Sequence, residues 1–388
     1  MNILFIELCN YMDYPTGGHL SFALHVLRAF GENLKLVGID TNNDCEIGKW
    51  IKKDIDGKIY DYFCVAHIKK DSKKPIVPSR ITAYFQIRKY INKVLKTDFD
   101  KILVQTPEVL LALPTRVLKR TCLVMPGVGN PLKISRYKFA HLFARLYDKI
   151  FYRKASLVDV ILPAADEKSI EEFVSEGKGK IIPSKVRQFP TRYDADVFKI
   201  KNKEKLRQKY SIEDSSIIYV TVGRLNWFKG WKFMIDSFSL LKSPNSRLLF
   251  IGDGEDELLI RDYIIEKDLV GKVLMLGRQP LDVISDYLNM ADAFVMGSYR
   301  EGWSTALVEA IACALPCVVT DFSSASDMIE NGVNGYVVKE RDIYEFAKRL
   351  DDALLLNKRC LYEKANEISC LSVQNMREHF LLKTSWNK

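Results

Sequence analysis

The fold is decided by an alternation that is clearest in "ADAFVMGSYREGWSTALVEAIACALPCVVTD", residues 291–321. An apolar run of strand length opens this stretch, a helical run follows at about 304–314, and a second strand-like run begins after Pro316. Strands that alternate with helices of this kind predict a parallel β-sheet with helices on both of its faces. The same stretch places Glu301 just before the helix and Glu309 about one turn inside it.

The alternation runs through both halves of the 388-residue chain. It is interrupted at 185–210, a stretch that contains Pro190 and many charged residues, and it restarts with "SIIYVTVG" at 216–223. Proline and dense charge between two periodic regions indicate an interdomain linker. The sequence therefore predicts an α/β protein of two doubly wound domains, residues 1–190 and 191–370, which face a central cleft.

Composition excludes several classes of protein. No run reaches the roughly 18 apolar residues of a membrane span, and the first residues lack the basic segment that opens a signal peptide. The eight cysteines are scattered, without C-x-x-C pairs or zinc-ligand spacing. We therefore expect a cytoplasmic protein with reduced thiols and no metal site.

The positive charge of the chain is concentrated in its first half. The net charge is +9, and residues 79–157 hold 16 Lys and Arg against 4 Asp and Glu. This excess indicates an anionic partner. Because the basic residues of "RYKFAHLFARLYDKIFYRKA" (136–155) alternate with apolar ones, an anionic membrane surface fits better than nucleic acid. An ordinary packed helix with a solvated rim is the alternative.

Two further segments carry groups that bind anions and hydroxyls. In "VGRLNWFKGWKF" (222–233), Arg224 and Lys229 follow a strand and precede a helix, an arrangement that suits a diphosphate. Ser304 and Thr305 can cap the next helix, whose free amides attract phosphate or sugar oxygens. Solvated loop cations, and glutamates that serve only the surface or the helix dipole, are the alternatives.

The glycine pair Gly17 and Gly18 follows the first predicted strand after a loop of about ten residues. Paired glycines let the backbone come close to a phosphate, but they also form simple turns. Their spacing does not match the dinucleotide-binding fingerprint.

The segments "VGRLNWFKGW", "IGDGED" and "EGWSTALVEAIACALPCVVTD", in this order, resemble the nucleotide-binding domain of glycosyltransferase family 4. The glycine pair and "DADVF" at 194–198 match further landmarks of that family, so the resemblance covers nearly the whole chain. It implies the GT-B fold and a retaining transferase that uses a nucleotide sugar. It also implies an N-terminal domain that binds the acceptor, and a final helix in 371–388 that crosses back to that domain.

The resemblance also implies individual roles. Glu301 would hold hydroxyls of the donor sugar and Glu309 those of the ribose, while Arg224 and Lys229 would neutralise the diphosphate in place of a metal ion. Glu301, Arg224 and Lys229 would therefore be the catalytic residues. The remaining donor contacts would come from Gly17, Gly18, Gly223, Arg278, Gly302, Trp303, Ser304 and Thr305.

The sequence departs from the family pattern at two places. Pro126 stands where many members carry a histidine near the donor sugar, and Thr191 or Arg192 occupies the place of a glycine in the linker. The identity of the sugar and the acceptor-side chemistry are therefore not implied.

The sequence thus predicts transfer of a hexose or N-acetylhexosamine from a UDP- or GDP-sugar, without a metal or other cofactor. The acceptor would be a saccharide, lipid-linked or part of a surface polysaccharide such as lipopolysaccharide or capsule. The enzyme would lie peripherally on the inner face of the cell membrane and would not bind nucleic acid. A sugar-nucleotide epimerase or hydrolase on the same fold is the alternative, and a nucleic-acid-binding protein is another.

Overall fold

A computed structural model describes residues 1–15, 18–70, 79–130, 132–133 and 140–386. The chain forms two compact units: residues 1–191 together with 375–388, and residues 192–374. The second segment of the first unit, residues 375–388, comes from the end of the chain.

The first unit contains a seven-stranded sheet in the order β3-β4-β2-β1-β5-β6-β7. Its strands are β1 (Ile3–Ile6), β2 (Leu34–Asp40), β3 (Trp50–Ile55), β4 (Lys58–His67), β5 (Lys101–Val104), β6 (Thr121–Met125) and β7 (Val160–Pro163). Its helices up to the linker are α1 (Gly18–Phe30), α2 (Ser79–Val94), α3 (Pro107–Ala112), α4 (Ala144–Ala155) and α5 (Glu167–Glu176). Apolar side chains from both faces of the sheet form two buried clusters.

One strand of this sheet differs from the expected parallel arrangement. β3 is absent from the strands that the sequence predicts, and it pairs antiparallel with β4 at the edge of the sheet. Asp56 and Gly57 join the two strands, with φ angles of 53° and 74°. Two successive residues at positive φ make the tight turn that suits a two-residue β-hairpin, so the local turn imposes the antiparallel direction.

The second unit contains a six-stranded sheet in the order β10-β9-β8-β11-β12-β13, in which every strand pair is parallel. Its strands are β8 (Ile217–Val222), β9 (Ser246–Ile251), β10 (Val273–Met275), β11 (Ala293–Met296), β12 (Cys317–Thr320) and β13 (Gly335–Val338). Its helices are α6 (Lys203–Lys209), α7 (Trp231–Phe238), α8 (Glu257–Glu266), α9 (Leu281–Met290), α10 (Thr305–Ala312), α11 (Ala325–Met328), α12 (Ile343–Ala353) and α13 (Lys358–Glu367).

The direction in which strands are added reverses between β8 and β11. The chain runs outward from β8 to β10, returns to the other side of β8 for β11, and runs outward again to β13. Such a reversal is a topological switch point, and open parallel sheets bind ligands beside it, at the carboxyl ends of the strands.

The last helix, α14 (Met376–Thr384), belongs to the first unit. The ring of Phe380 lies 5.2 Å from that of Phe30 and 5.8 Å from that of Phe189, both in edge-to-face geometry. Trp386 then donates from its indole nitrogen to Asp159 at 2.8 Å. Apolar contacts and hydrogen bonds, this one among them, thus attach the end of the chain to this unit.

The basic segment from residue 136 is only partly described. The basic helix expected from 136 is described only as a 3₁₀ turn, Ala140–Phe143, followed by α4, because residues 134–139 lie outside the described part. None of the helices in the described ranges is long and apolar enough to cross a membrane.

Candidate functional site

The loops that follow β8 and β11 meet at the switch point of the second unit. The two strands pair in parallel, with Tyr219 opposite Ala293, so their carboxyl ends lie at the same edge of the sheet. The loop after β8 carries Arg224 and Lys229, and the loop after β11 carries Glu301. The topology therefore brings together three residues that the sequence predicts to be catalytic.

Glycine allows these two loops to touch. Gly230 has a φ of 71°, and a Cβ atom at this position would lie 1.8 Å from the carbonyl oxygen of Gly297. The amide of Tyr299 donates to the carbonyl of Phe228 at 2.7 Å and joins the loops a second time. A larger residue at 230 would separate the loops, which explains why glycine is needed there.

Lys229 and Glu301 form an ion pair across this contact. The ammonium of Lys229 lies 2.6 Å from Oε1 of Glu301, and the hydroxyl of Ser298 donates to the same oxygen at 2.7 Å. The side chains of Lys229 and Glu301 are 25% and 13% exposed. The carboxylate is thus fixed by two donors while both charged groups remain accessible to a ligand.

Arg224 and Lys229 line one pocket. Gly223 and Ser298 also contribute to its wall. Two cations, the backbone of Gly223 and the hydroxyl of Ser298 lie on one concave surface. Such a surface suits an anion with several oxygen atoms.

The helix after this loop begins as the sequence predicts. Ser304 is the N-cap of α10, and its hydroxyl accepts from the amide of Leu307 at 3.4 Å, while Thr305 is the first helical residue. The carbonyl of Gly302 accepts from Ser324 at 2.7 Å, and Trp303 is buried. The free amides of the first turn of α10 supply partial positive charge beside Glu301.

Glu309 lies one turn inside α10, as expected, and is partly buried. Burial raises the pKa of its carboxyl from 4.5 to about 8. The negative charge of Glu309, after burial itself, raises the pKa of the Cys313 thiol to about 12. A ligand group that donates hydrogen bonds to Glu309 would favour its ionised form and lower this pKa.

The remaining predicted donor contacts lie elsewhere or are not described. Arg278 is exposed, follows β10 and pairs with Asp253 at 2.8 Å. Gly18 is the first residue of α1 in the first unit, whereas Gly17 lies outside the described residues. The approach of either glycine to a phosphate stays a prediction, as does the consequence of Pro126, which directly follows β6.

Three residues that hold the site together were not predicted. The hydroxyl of Thr320 donates to the carbonyl of Ser298 at 2.7 Å, and the guanidinium of Arg341 donates to the carbonyls of Gly297 and Ser298. Ser298 carries a recognisable signal, since it is a polar residue two positions after the end of a strand. Thr320 and Arg341 carry none, because they bind the backbone of a remote segment.

Among the described residues, one cluster has the composition of a metal site. Ligand atoms of Asp40, Asp44 and Cys45 lie within 4.8 Å of one another in the first unit. The ammonium of Lys53 lies 3.3 Å from the Cys45 sulfur and 3.8 Å from an Asp44 oxygen. A cation of the protein itself therefore contacts this cluster, which lies outside the switch-point site.

Comparison with solved structures identifies the architecture. A sucrose-phosphate synthase from Thermosynechococcus elongatus matches with a TM-score of 0.76 at 14% identity, covering 100% of this chain and 99% of that one. The Anabaena protein HepE, solved in complex with UDP-glucose, matches with a TM-score of 0.72 at 17% identity and 99% coverage of both chains. The chain has the GT-B fold.

The second unit of this GT-B chain also matches a sequence family. Residues 202–369 fit the family model described as "Glycosyl transferases group 1". The matched range contains Arg224, Lys229, Arg278, Glu301 and Glu309. The comparisons thus support a glycosyltransferase of the GT-B type.

Curated relatives are also glycosyltransferases by name. An uncharacterized glycosyltransferase of Methanocaldococcus jannaschii is 27% identical over 287 residues, which are 70% of this chain and 66% of the relative. A capsular polysaccharide biosynthesis glycosyltransferase of Staphylococcus aureus is 31% identical over 176 residues, 44% of this chain and 45% of the relative. An Escherichia coli UDP-Gal:alpha-D-GlcNAc-diphosphoundecaprenol alpha-1,3-galactosyltransferase is 28% identical over 197 residues. These residues are 46% of this chain and 49% of the relative. The chain thus spans between about half and two thirds of these relatives.

Proposed function

We propose that the protein is a retaining glycosyltransferase of family 4. It moves a hexose or N-acetylhexosamine from a UDP- or GDP-sugar to a saccharide acceptor. The observation that carries this proposal is the grouping of Arg224, Lys229 and Glu301 at the switch point of the second unit. Two cations face the same pocket, and the carboxylate is bound to one of them.

The two cations are suited to the leaving group. Breaking the bond between a sugar and a diphosphate leaves negative charge on the phosphate oxygens, and fixed donors lower the barrier when they bind that charge most strongly in the transition state. Arg224 offers a planar fork of donors and Lys229 a compact charge. Together with the amides of Gly302 to Thr305, these side chains would neutralise the diphosphate without a metal ion.

Glu301 and Glu309 would bind the two sugars of the donor. An ionised carboxylate accepts hydrogen bonds from two neighbouring hydroxyls. Glu301, next to Lys229, would accept from hydroxyls of the transferred sugar. Glu309, further along α10, would accept from the ribose, and Arg278 would lie near the base.

The relatives support the choice of donor and acceptor. HepE is a fold neighbour solved with UDP and with UDP-glucose. The name of the E. coli relative specifies UDP-Gal as donor and a GlcNAc-diphosphoundecaprenol acceptor. We therefore propose a UDP-sugar as the first donor to test and a lipid-linked saccharide as the acceptor, within surface polysaccharide synthesis.

A basic and apolar surface on the first unit supports a membrane location. Leu142, Phe143 and Leu146 are 67%, 60% and 56% exposed, whereas Phe151 on the same helix is buried in the core. Exposed basic residues accompany them, namely Arg145, Lys149 and Arg153. Each Lys or Arg near an anionic leaflet contributes about 1 kcal/mol. This surface would hold the enzyme on the inner face of the cell membrane.

The proposal is tested by donor binding followed by product analysis. UDP-glucose, UDP-galactose, UDP-N-acetylglucosamine and GDP-mannose are screened by thermal shift, and transfer to undecaprenyl-diphosphate-linked GlcNAc is followed by mass spectrometry. Retention predicts an α-linked product from an α-linked donor, read by NMR. Donor turnover that is equally fast without any acceptor would instead indicate a hydrolase or an epimerase.

A further inference from the structure

We propose that Arg341 is a positioning residue that fixes the loop of residues 297–301, so that Glu301 is directed at the donor sugar. This inference rests on the proposed function for the role of Glu301. The contacts that place Arg341 in this role are independent of that function.

Arg341 binds the main chain where β11 ends. One of its guanidinium nitrogens donates to the carbonyl of Gly297 at 2.6 Å, and the other donates to the carbonyl of Ser298 at 3.2 Å. Arg341 follows β13, an edge strand of the sheet, and lies 44 residues from Gly297 and 43 from Ser298 in sequence. A side chain from a distant segment therefore fixes two successive peptide units of the loop.

The same guanidinium also fixes the ring of the next residue. Its carbon lies 3.5 Å from the ring centre of Tyr299 and 4.6 Å from that of Phe233 on α7. A planar cation close to two aromatic rings is held by dispersion and by attraction to the ring faces. Because Tyr299 donates its amide to Phe228, the stack also stabilises the contact with the Lys229 loop.

The fixed backbone is connected to the Glu301 carboxylate through Ser298. Ser298, whose carbonyl accepts from Arg341 and Thr320, donates its hydroxyl to Glu301 at 2.7 Å. Glu301 in turn binds Lys229. If the peptide units of 297–298 shifted, the hydroxyl of Ser298 would move with them, and Glu301 would lose one of its two donors.

Lysine cannot replace arginine in this position. It offers one compact charge, whereas the contacts require donors at two separated carbonyls and a flat surface against Tyr299. The variant Arg341→Lys therefore keeps the charge and removes the geometry. Arg349→Lys is the matched control: Arg349 stacks on Tyr336 at 4.9 Å in the same unit and pairs with Glu345 and Asp352, away from the loop.

The first measurement is hydrogen–deuterium exchange of the peptide that covers 297–303. We expect exchange about tenfold faster in Arg341→Lys, the change that corresponds to losing one hydrogen bond to a charged group. Arg349→Lys should exchange in this peptide like the wild type. Unchanged exchange in Arg341→Lys would overturn the proposal whatever the protein catalyses.

The second measurement compares the affinity for UDP with that for UDP-glucose, UDP-galactose and UDP-N-acetylglucosamine. We expect Arg341→Lys to leave the UDP affinity within about threefold and to weaken the preferred UDP-sugar about tenfold. The additional loss should vanish when Glu301→Gln is already present, because Arg341 acts through Glu301. An equal loss for UDP and UDP-sugar, or a loss that adds to that of Glu301→Gln, would overturn the positioning role.

The exchange and affinity measurements distinguish a failure of this inference from a failure of the proposed function. If the wild type binds none of these nucleotides or GDP-mannose, the proposed function fails, while the exchange arm still decides whether Arg341 holds the loop.

Discussion

The ammonium of Lys229 lies 2.6 Å from a carboxylate oxygen of Glu301, so the proposed phosphate-binding cation and sugar-binding anion are paired with each other. Each partner limits what the other can do. When a diphosphate binds Lys229, the cation is shared between two anions, and Glu301 must gain donors from the sugar to remain compensated. The pair therefore couples recognition of the phosphate to recognition of the sugar.

This pairing predicts opposite effects of two substitutions. Lys229→Met removes a cation and leaves the Glu301 carboxylate facing the diphosphate, so UDP affinity should fall about 10–100-fold, the range of a hydrogen bond between charged groups. Glu301→Gln keeps the size of the side chain and frees Lys229, so UDP affinity should be unchanged or higher. Isothermal titration with UDP measures both variants.

For Glu301→Gln, turnover should change although UDP binding does not. Glu301→Gln should lower transfer of the sugar by at least tenfold despite intact UDP binding, since the hydroxyl contact is lost. Lys232→Met, on the adjacent helix α7, is a matched control that should bind UDP normally. Equal losses of UDP affinity in Lys229→Met and Glu301→Gln would contradict the coupled arrangement.

The raised pKa of Glu309 predicts that donor affinity depends on pH. Burial raises the pKa of its carboxyl to about 8, while donor hydroxyls of a ribose favour the ionised form. The affinity for the preferred UDP-sugar, whose diphosphate has no ionisable proton between pH 6 and 8, should therefore rise as the pH increases from 6 to 8 and then level off, with protons released on binding below pH 8. Titrations in buffers of different ionisation enthalpy count the protons, and Glu309→Gln should show neither proton release nor this pH dependence.

Glu7 predicts a pH-dependent stability of the first unit. It follows β1, is buried, and accepts from the amide of Leu8 at 2.9 Å. Burial raises its pKa from 4.5 to about 8, and the nearby charge of Glu108 adds to the rise. The folded state therefore holds a proton that the unfolded state has released, so stability falls as the pH rises from about 4.5 to 8.

The size of this effect follows from the shift in the pKa of Glu7. At about 1.4 kcal/mol per pKa unit, Glu7 should cost a few kcal/mol of unfolding free energy between pH 5 and pH 8.5. Glu7→Gln should remove that loss, whereas Glu32→Gln, an exposed glutamate of the same unit, should not. Urea denaturation at both pH values measures the difference. A Glu7→Gln variant that loses as much stability as the wild type would show that Glu7 does not titrate in this range.

The exposed face of the 140–155 segment predicts binding to anionic vesicles. Replacing Phe143 and Leu146 with serine should reduce co-sedimentation with vesicles of phosphatidylglycerol and phosphatidylcholine severalfold, because apolar contact and charge act together. Leu258→Ser removes an even more exposed leucine from the second unit and is the control. Undiminished sedimentation of the Phe143 and Leu146 variant would assign this face to another role.

Most of the fold could be predicted because strands of a parallel sheet are buried on both faces and therefore read as continuous apolar runs. "IIYVTV" and "RLLFI" are such runs, and both are strands. β3 could not be recognised in this way, since its sequence "WIKKDI" is half polar and lies at the sheet edge. The one local signal for it was the Asp56-Gly57 turn.

The residues of the candidate site also fall into those that the sequence indicates and those that it does not. Arg224, Lys229 and Glu301 could be predicted as site residues because each lies in a loop that follows a strand, and the topology then brings those loops together. Arg341 could not be found, because it binds carbonyl groups, and main-chain acceptors leave no pattern in a sequence. The ion pair itself was also not predicted, since Lys229 and Glu301 are 72 residues apart.

The most direct test of the account is a crystal structure of the protein with UDP bound. The account predicts diphosphate oxygens within hydrogen-bonding distance of Arg224 and Lys229, and ribose hydroxyls on Glu309. A nucleotide bound away from the loops that follow β8 and β11 would contradict it.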